Sequence, residues 1–233
     1  MTYAGRLDPM ASGKLLVLIG ETCKERSRYD KLDKEYEFEV LLGMSSDTGD
    51  ILGMLERSGT ATPSLDGLNK ILQSLIGEHT FPYPAYSSKT VKGIPLFQYA
   101  SQNRLETITI PTQKIRIYSI SLLSQKRLPF NTIATRSIDL ITRFNPVQNP
   151  RNSNADFRKP AVLAGWHEYQ NDTSNAQILT FRATVNSGTY VRTIAEYIGK
   201  ELGTTAMTLS IHRSRIGKYQ PIYKKLGFWT MQS

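Results

Sequence analysis

Residues 34–42, KEYEFEVLL, alternate without a break: Tyr36, Phe38 and Val40 fall on one side, Glu35, Glu37 and Glu39 on the other. A period of two over this length predicts a β-strand with one face buried and one wet. Such a strand must lie in a sheet whose apolar face is covered, so the chain cannot be all-helical.

Further elements follow from the spacing of apolar residues and from turn chemistry. Gly13 to Gly20 (GKLLVLIG) is a short apolar run bounded by glycines. It is compatible with a buried strand or a helix turn, with a turn running into a strand preferred. GMSSDTGDILG is turn chemistry leading to the next strand. Leu65, Leu68, Ile71, Leu72, Leu75 and Ile76 recur at steps of three and four, which predicts an amphipathic helix from a Ser64 cap to Gly77. Residues 80–95 hold three prolines and read as an ordered loop ending in a short helix over 96–100. Residues 107–124 suggest two strands separated at Pro111. Residues 178–186 predict a strand, Tyr190 to Leu202 a helix closed by Gly203, and MTLSIHRSRIGKY a last strand. FNPVQNPRNSNADFRK, residues 144–159, is loop-like and the best place for an insertion. Without regular strand–helix–strand alternation the class is α+β.

The net charge of +9 is confined to the second half. Residues 1–120 hold 14 basic and 14 acidic side chains, whereas 121–233 hold 15 and 6. Clustered Lys and Arg favour an anionic partner, and a nucleic acid is the usual one. The single cysteine, Cys23, rules out an intrachain disulfide and a multi-cysteine zinc site, so a reducing cytoplasm is the expected compartment. The longest apolar run, Leu15 to Ile19, is far too short to span a membrane as a helix.

One carboxylate stands out. Asp8 lies in GRLDPMASG, flanked by Gly5 and Gly13 and followed by Pro9, a loop that presents one acid in a defined pose; a turn-capping role is the plainer alternative. Asp47-Thr48-Gly49 spells an aspartic-protease triplet, but a second such triplet is required and none occurs. Asp47 and Asp50 offer too few oxygens for a calcium loop. His79, His167 and His212 are scattered and read as structural. No metal site is expected.

The loop GRLDPMASG, with the apolar run and IGETCK behind it, resembles the catalytic motif of the TruB family of tRNA pseudouridine synthases. Three more blocks are similar in the same order: KEYEFEVLLG with SSDTGDILG, YPAYSSKTVKGIPLFQYA, and VNSGTYVRTIAEYIGKELGTTAMTLSIHRSRIGKY. The resemblance implies the pseudouridine synthase fold, a mixed and largely antiparallel sheet flanked by helices. It implies isomerisation of uridine 55 in the T arm of tRNA, without cofactor or metal. Asp8 would be the catalytic carboxylate, Tyr36 the ring that stacks on uracil and Arg192 the cation paired with Asp8. Tyr190 and Ile211 would line the uridine pocket. Apart from the resemblance, Lys89, Lys92, Arg213, Arg215 and Lys218 are candidate phosphate contacts. Without that resemblance, Tyr36 reads as core and the cations as surface charge.

The expected organisation is one catalytic domain over 1–233, monomeric, lacking the family's usual Lys-Pro-x-Gly-x-Thr-Ser segment and its frequent PUA domain, with an insertion at about 125–176. The Gly-Arg-Leu-Asp loop also resembles the RluA and RsuA synthases, which act on other RNA. A non-catalytic tRNA-binding protein is the third reading left open.

Overall fold

A computed structural model describes residues 1–144, 158–223 and 226–230. The chain begins with β1 (Thr2–Ala4), a loop, β2 (Ser12–Gly13) and β3 (Leu16–Leu18), then a 3-10 turn and α1 (Arg26–Asp30). β1 and β3 form a separate antiparallel ribbon in which Tyr3 pairs with Val17. Only Leu18 of the Gly13–Gly20 run is buried, while Leu15, Val17 and Ile19 are exposed. The expectation of a buried element was therefore wrong, because a two-stranded ribbon buries one face only.

The KEYEFEVLL segment is β4 (Asp33–Leu42). A hairpin of β5 (Met44–Ser46) and β6 (Leu55–Arg57) follows. Next come α2 (Leu68–Ser74), β7 (Gly77–Pro82), a small ribbon of β8 (Thr90–Val91) and β9 (Ile94–Pro95), and α3 (Leu96–Ser101), the short helix expected there. The α2 helix starts later than its apolar spacing predicted. Ser64 Oγ closes a local turn by accepting the Asp66 N–H, and Gly67 at φ +85° marks where the helix begins. β7 went unpredicted.

β10 (Thr112–Pro129) is one 18-residue strand, not the two expected over 107–124. Residues 107–110 stay outside it, since Pro111 has no N–H for a ladder and the strand begins after it. α4 (Phe130–Arg143) and α5 (Lys159–His167) come next, and the run between them, 145–157, lies outside the described residues. β11 (Asn175–Val185), α6 (Val191–Glu201), β12 (Ala206–Tyr223) and β13 (Leu226–Thr230) complete the order.

The main sheet has seven strands, in the order β13-β12-β4-β11-β10-β7, with β2 added parallel to β12. All other neighbours in it are antiparallel. β4 sits between β12 and β11, so its alternation decides what each face does. Tyr36, Phe38, Val40 and Leu42 enter a core shared with α2 and α6. Leu41 enters a second core, built with Phe130 and Ile133 of α4 and Trp166 of α5. Residues 125–176, expected as an insertion, thus carry the helices that cover this second face. The glutamates of β4 form a charge ladder there instead, Glu37 with Arg182 and Glu39 with Lys126 and Arg136. Mixed, mostly antiparallel pairing with helices on both faces is an α+β architecture, as expected. No helix among the described residues is long and apolar enough to cross a membrane.

Candidate active site

The loop between β1 and β2 carries Asp8. Gly5 at φ +66° and Gly13 at φ +103° end it in conformations that favour glycine. At Gly13 a Cβ would lie 2.3 Å from the Arg213 carbonyl oxygen, so no side chain fits. Within the loop the Ala11 N–H donates to the Asp8 carbonyl. Arg213, fully buried on β12, staples both ends: its Nε donates to the Lys14 carbonyl and its Nη2 to the Gly5 carbonyl. Asp30 Oδ1 accepts the Gly5 N–H at 2.8 Å.

Lys34 lies beneath this loop, 4% exposed, its Nζ donating to the Asp30 and Leu32 carbonyls. Burial, with the Arg213 charge beside it, pushes Lys34 down to about 8. An unfolded lysine titrates near 10.5, so between these values the unfolded chain binds more protons than the native one. Native stability should rise with pH across that window and be insensitive to this group below it. Urea unfolding of wild type and Lys34→Met from pH 8 to 10 should show wild type gaining on the variant by up to about 1.4 kcal/mol per pH unit. A constant gap would mean that Lys34 stays charged in the native state across this range, so that burial does not lower its pKa.

Arg192, in the first turn of α6, is 3% exposed and organises the site. Its Nε donates to Asp8 Oδ2 at 2.9 Å and its Nη2 to Asp8 Oδ1 at 3.2 Å, a two-point grip. Nη1 donates to the Thr48 carbonyl at 2.5 Å and Nη2 also to the Tyr86 carbonyl at 3.3 Å. Asp50 Oδ2 stands 3.8 Å from Nε. Burial alone would lower the Arg192 pKa, but the Asp8 and Asp50 carboxylates outweigh it and hold it above its ordinary value. Asp50 is buried and its pKa is raised by that burial, against the pull of Arg192. Thr48 Oγ1 and the Leu52 N–H both donate to its Oδ1. Asp8, about one-fifth exposed, is the solvent-facing member of the cluster.

Aromatic rings surround the pair. Tyr36 is 9% exposed on β4, opposite Arg213 on β12. Burial raises its pKa, with the Arg213 charge opposing and the Asp8 charge adding. Tyr190 precedes α6, its ring 5.6 Å from the Arg192 guanidinium and edge-on to Tyr83 at 6.3 Å. Lys89 Nζ sits 5.1 Å over the Tyr83 ring. Ile211, opposite Phe38 on β12, is 3% exposed within the same core as Tyr36.

The structure thus gathers Asp8, Arg192, Tyr36 and Tyr190, with Lys89 at the edge. Two expectations need correction. Arg213 is buried and bound to backbone carbonyls, so it holds the loop and is not available to a phosphate. Arg215 pairs with Glu35, which points to the opposite face of the sheet from Tyr36. The register shift between Arg213 and Arg215 is what sends them to opposite faces, since residues two apart on a regular strand share one. Asp50 was passed over because SSDTGDILG reads as turn chemistry; its Asp-Thr-x-Asp spacing was the available signal. Among the described residues no group of His, Cys, Asp and Glu could hold a metal ion.

Residues 1–137 match the family model for the TruB family pseudouridylate synthase N-terminal domain. The chain is 28% identical to tRNA pseudouridine synthase B of Caldicellulosiruptor saccharolyticus, covering 93% of this chain and 58% of that protein. It is 26% identical to tRNA pseudouridine synthase 4 of Saccharomyces cerevisiae, covering 91% and 60%. The chain therefore spans somewhat over half the length of these relatives. A chain of a Cbf5–Nop10–Gar1 complex superposes with a TM-score of 0.51 at 17% identity, over 93% of this chain and 40% of that one, which shows a shared fold. With more than half of its residues matched by the family model, the chain belongs to the TruB family of pseudouridylate synthases.

Proposed function

We propose that the protein is a tRNA pseudouridine synthase that isomerises uridine 55 in the T arm, with residues 1–233 acting as one monomeric catalytic domain and Asp8 as the catalytic carboxylate. The observation that carries this reading is the Asp8–Arg192 pair: a carboxylate at the rim of a site, gripped at two points by a buried arginine. The relatives named as tRNA pseudouridine synthases support tRNA as the substrate.

The chemistry breaks the bond between N1 and C1′ and makes one between C5 and C1′. The C5 proton leaves and N1 gains one, so the product is an isomer and the balance calls for no redox partner. Asp8, gripped at two points by Arg192, assists departure of the base as nucleophile or as anionic stabiliser. The target base must leave its stack, at a cost of a few kcal/mol, and stacking on Tyr36 returns part of this. With its pKa raised, Tyr36 is a neutral phenol at neutral pH and a poor base, which leaves stacking as its role.

The test is tritium release from C5-labelled uridine in an unmodified tRNA transcript, with the product position mapped. Release from the T-arm uridine is expected. Release from other uridines only, or binding without release, would overturn the proposal.

A further inference from the structure

We propose that Arg158, at the start of α5, is a positioning residue for Arg192, so that α5 helps set the geometry of the Asp8 site. The consequence for turnover rests on the proposed function; the positioning itself does not.

Arg158 joins the two loops that hold the Arg192 guanidinium. Its Nη1 donates to Asp47 Oδ2 at 2.6 Å and its Nη2 to Asp47 Oδ1 at 3.0 Å, a planar fork on a carboxylate. The same guanidinium lies 4.8 Å over the Tyr86 ring. Asp47 immediately precedes Thr48, whose carbonyl accepts from Arg192 Nη1. Tyr86 itself supplies the carbonyl that accepts from Arg192 Nη2. One side chain therefore ties together both backbone acceptors of Arg192. These bonds, added to the grip on Asp8, fix the plane of the Arg192 guanidinium and with it the direction in which the Asp8 carboxylate faces.

The base of this strut is itself held. Trp166 of α5 is fully buried and its Nε1 donates to the Ile51 carbonyl, in the loop that carries Asp47 and Asp50. Arg158 adopts φ +53° and ψ +29°, a left-handed conformation that a residue with a Cβ takes up only when its surroundings require it. In that conformation its guanidinium reaches both Asp47 and Tyr86. Glycine or asparagine adopts left-handed backbone at lower cost than arginine.

A salt bridge this exposed, with both side chains about one-third accessible, would add little stability by itself. Its effect is expected in orientation, where a displacement of about 1 Å can cost on the order of 100-fold in rate. Two readouts separate the positioning from the chemistry. The first is solvent exchange of the Arg192 Nε–H followed by NMR, which needs no turnover. The second is kcat and KM on the T-arm transcript. Arg158→Ala should keep the far-UV spectrum and unfolding midpoint of wild type, speed Arg192 Nε–H exchange about 10-fold, and lower kcat about 10- to 100-fold with KM within about twofold. Arg158→Lys keeps the charge but not the planar fork, so it should recover only part of kcat. Asp47→Asn should match Arg158→Ala, and the double variant should be no worse than either. Unchanged Nε–H exchange in both Arg158 variants would overturn the proposal. So would a raised KM with a flatter salt dependence and wild-type kcat, which would make Arg158 an RNA contact instead. If wild type releases no tritium yet Arg158→Ala still speeds the exchange, the proposed function fails and the positioning stands.

Discussion

Asp8→Asn should leave tRNA bound and unmodified. The substitution is isosteric, and the amide oxygen can still accept from Arg192, so the loop pinned by Arg213 and Asp30 keeps its course. What disappears is the negative charge, and with it any assistance to breaking the glycosidic bond. Loss of a catalytic carboxylate in either proposed role is expected to cost on the order of 10⁴-fold or more in kcat. Binding by mobility shift should stay within about threefold of wild type, because affinity for RNA comes mainly from phosphate contacts spread over the surface. Tritium release persisting in Asp8→Asn at more than about a hundredth of the wild-type rate would remove Asp8 from the chemistry.

Arg192→Met should abolish turnover and also weaken the fold, by about 3–5 kcal/mol, the usual cost of removing one partner of a buried ion pair. The reason lies behind Asp8, at Asp50. Its side chain is 4% exposed and has Arg192 as its cation 3.8 Å away. Methionine fills the space of the stem but leaves the Asp50 carboxylate buried and without that charge. Its native pKa, already raised, rises further, so the folded state holds a proton that the unfolded state has released at the same pH. The stability deficit of Arg192→Met should therefore shrink as pH falls from neutral towards the raised pKa. Adding Asp50→Asn removes the stranded charge and should recover much of the stability at neutral pH, with no recovery of activity. Chemical denaturation of the two variants across pH checks both statements. Equal stability of Arg192→Met and wild type would show that the buried cluster does not contribute to folding.

The contrast between Arg192 and Arg213 shows how far a sequence reaches. Both are arginines in recognisable blocks, and both end up buried beside the same loop. Arg192 was legible because its block resembles a family in which the pairing with the loop aspartate is part of the pattern. Arg213 and Arg215 were both read as phosphate contacts. Yet one points to the Tyr36 face and staples the loop, while the other points to the opposite face and meets Glu35. The alternation of β12 is interrupted by a register shift between them, and such shifts arise from pairing with a neighbouring strand.

By itself the sequence determined the elements whose pattern is local: the alternating β4, the α6 helix with its glycine stop, the α+β class, and the family through four ordered blocks. The glycine-bounded loop with a single aspartate was local too. Only the tertiary structure decided which apolar runs are covered, leaving Leu15, Val17 and Ile19 exposed on or beside a ribbon while Trp166 of α5 is fully buried in the second core. It also decided that Asp50 stands behind Arg192 and that Arg158 reaches Asp47 and Tyr86. The physical reason is the same in each case. Burial, charge pairing and hydrogen-bond partnership depend on residues more than 100 positions apart being packed together, as Arg158 with Asp47 and Arg192 with Thr48 are, and no window of sequence contains both members of such a pair.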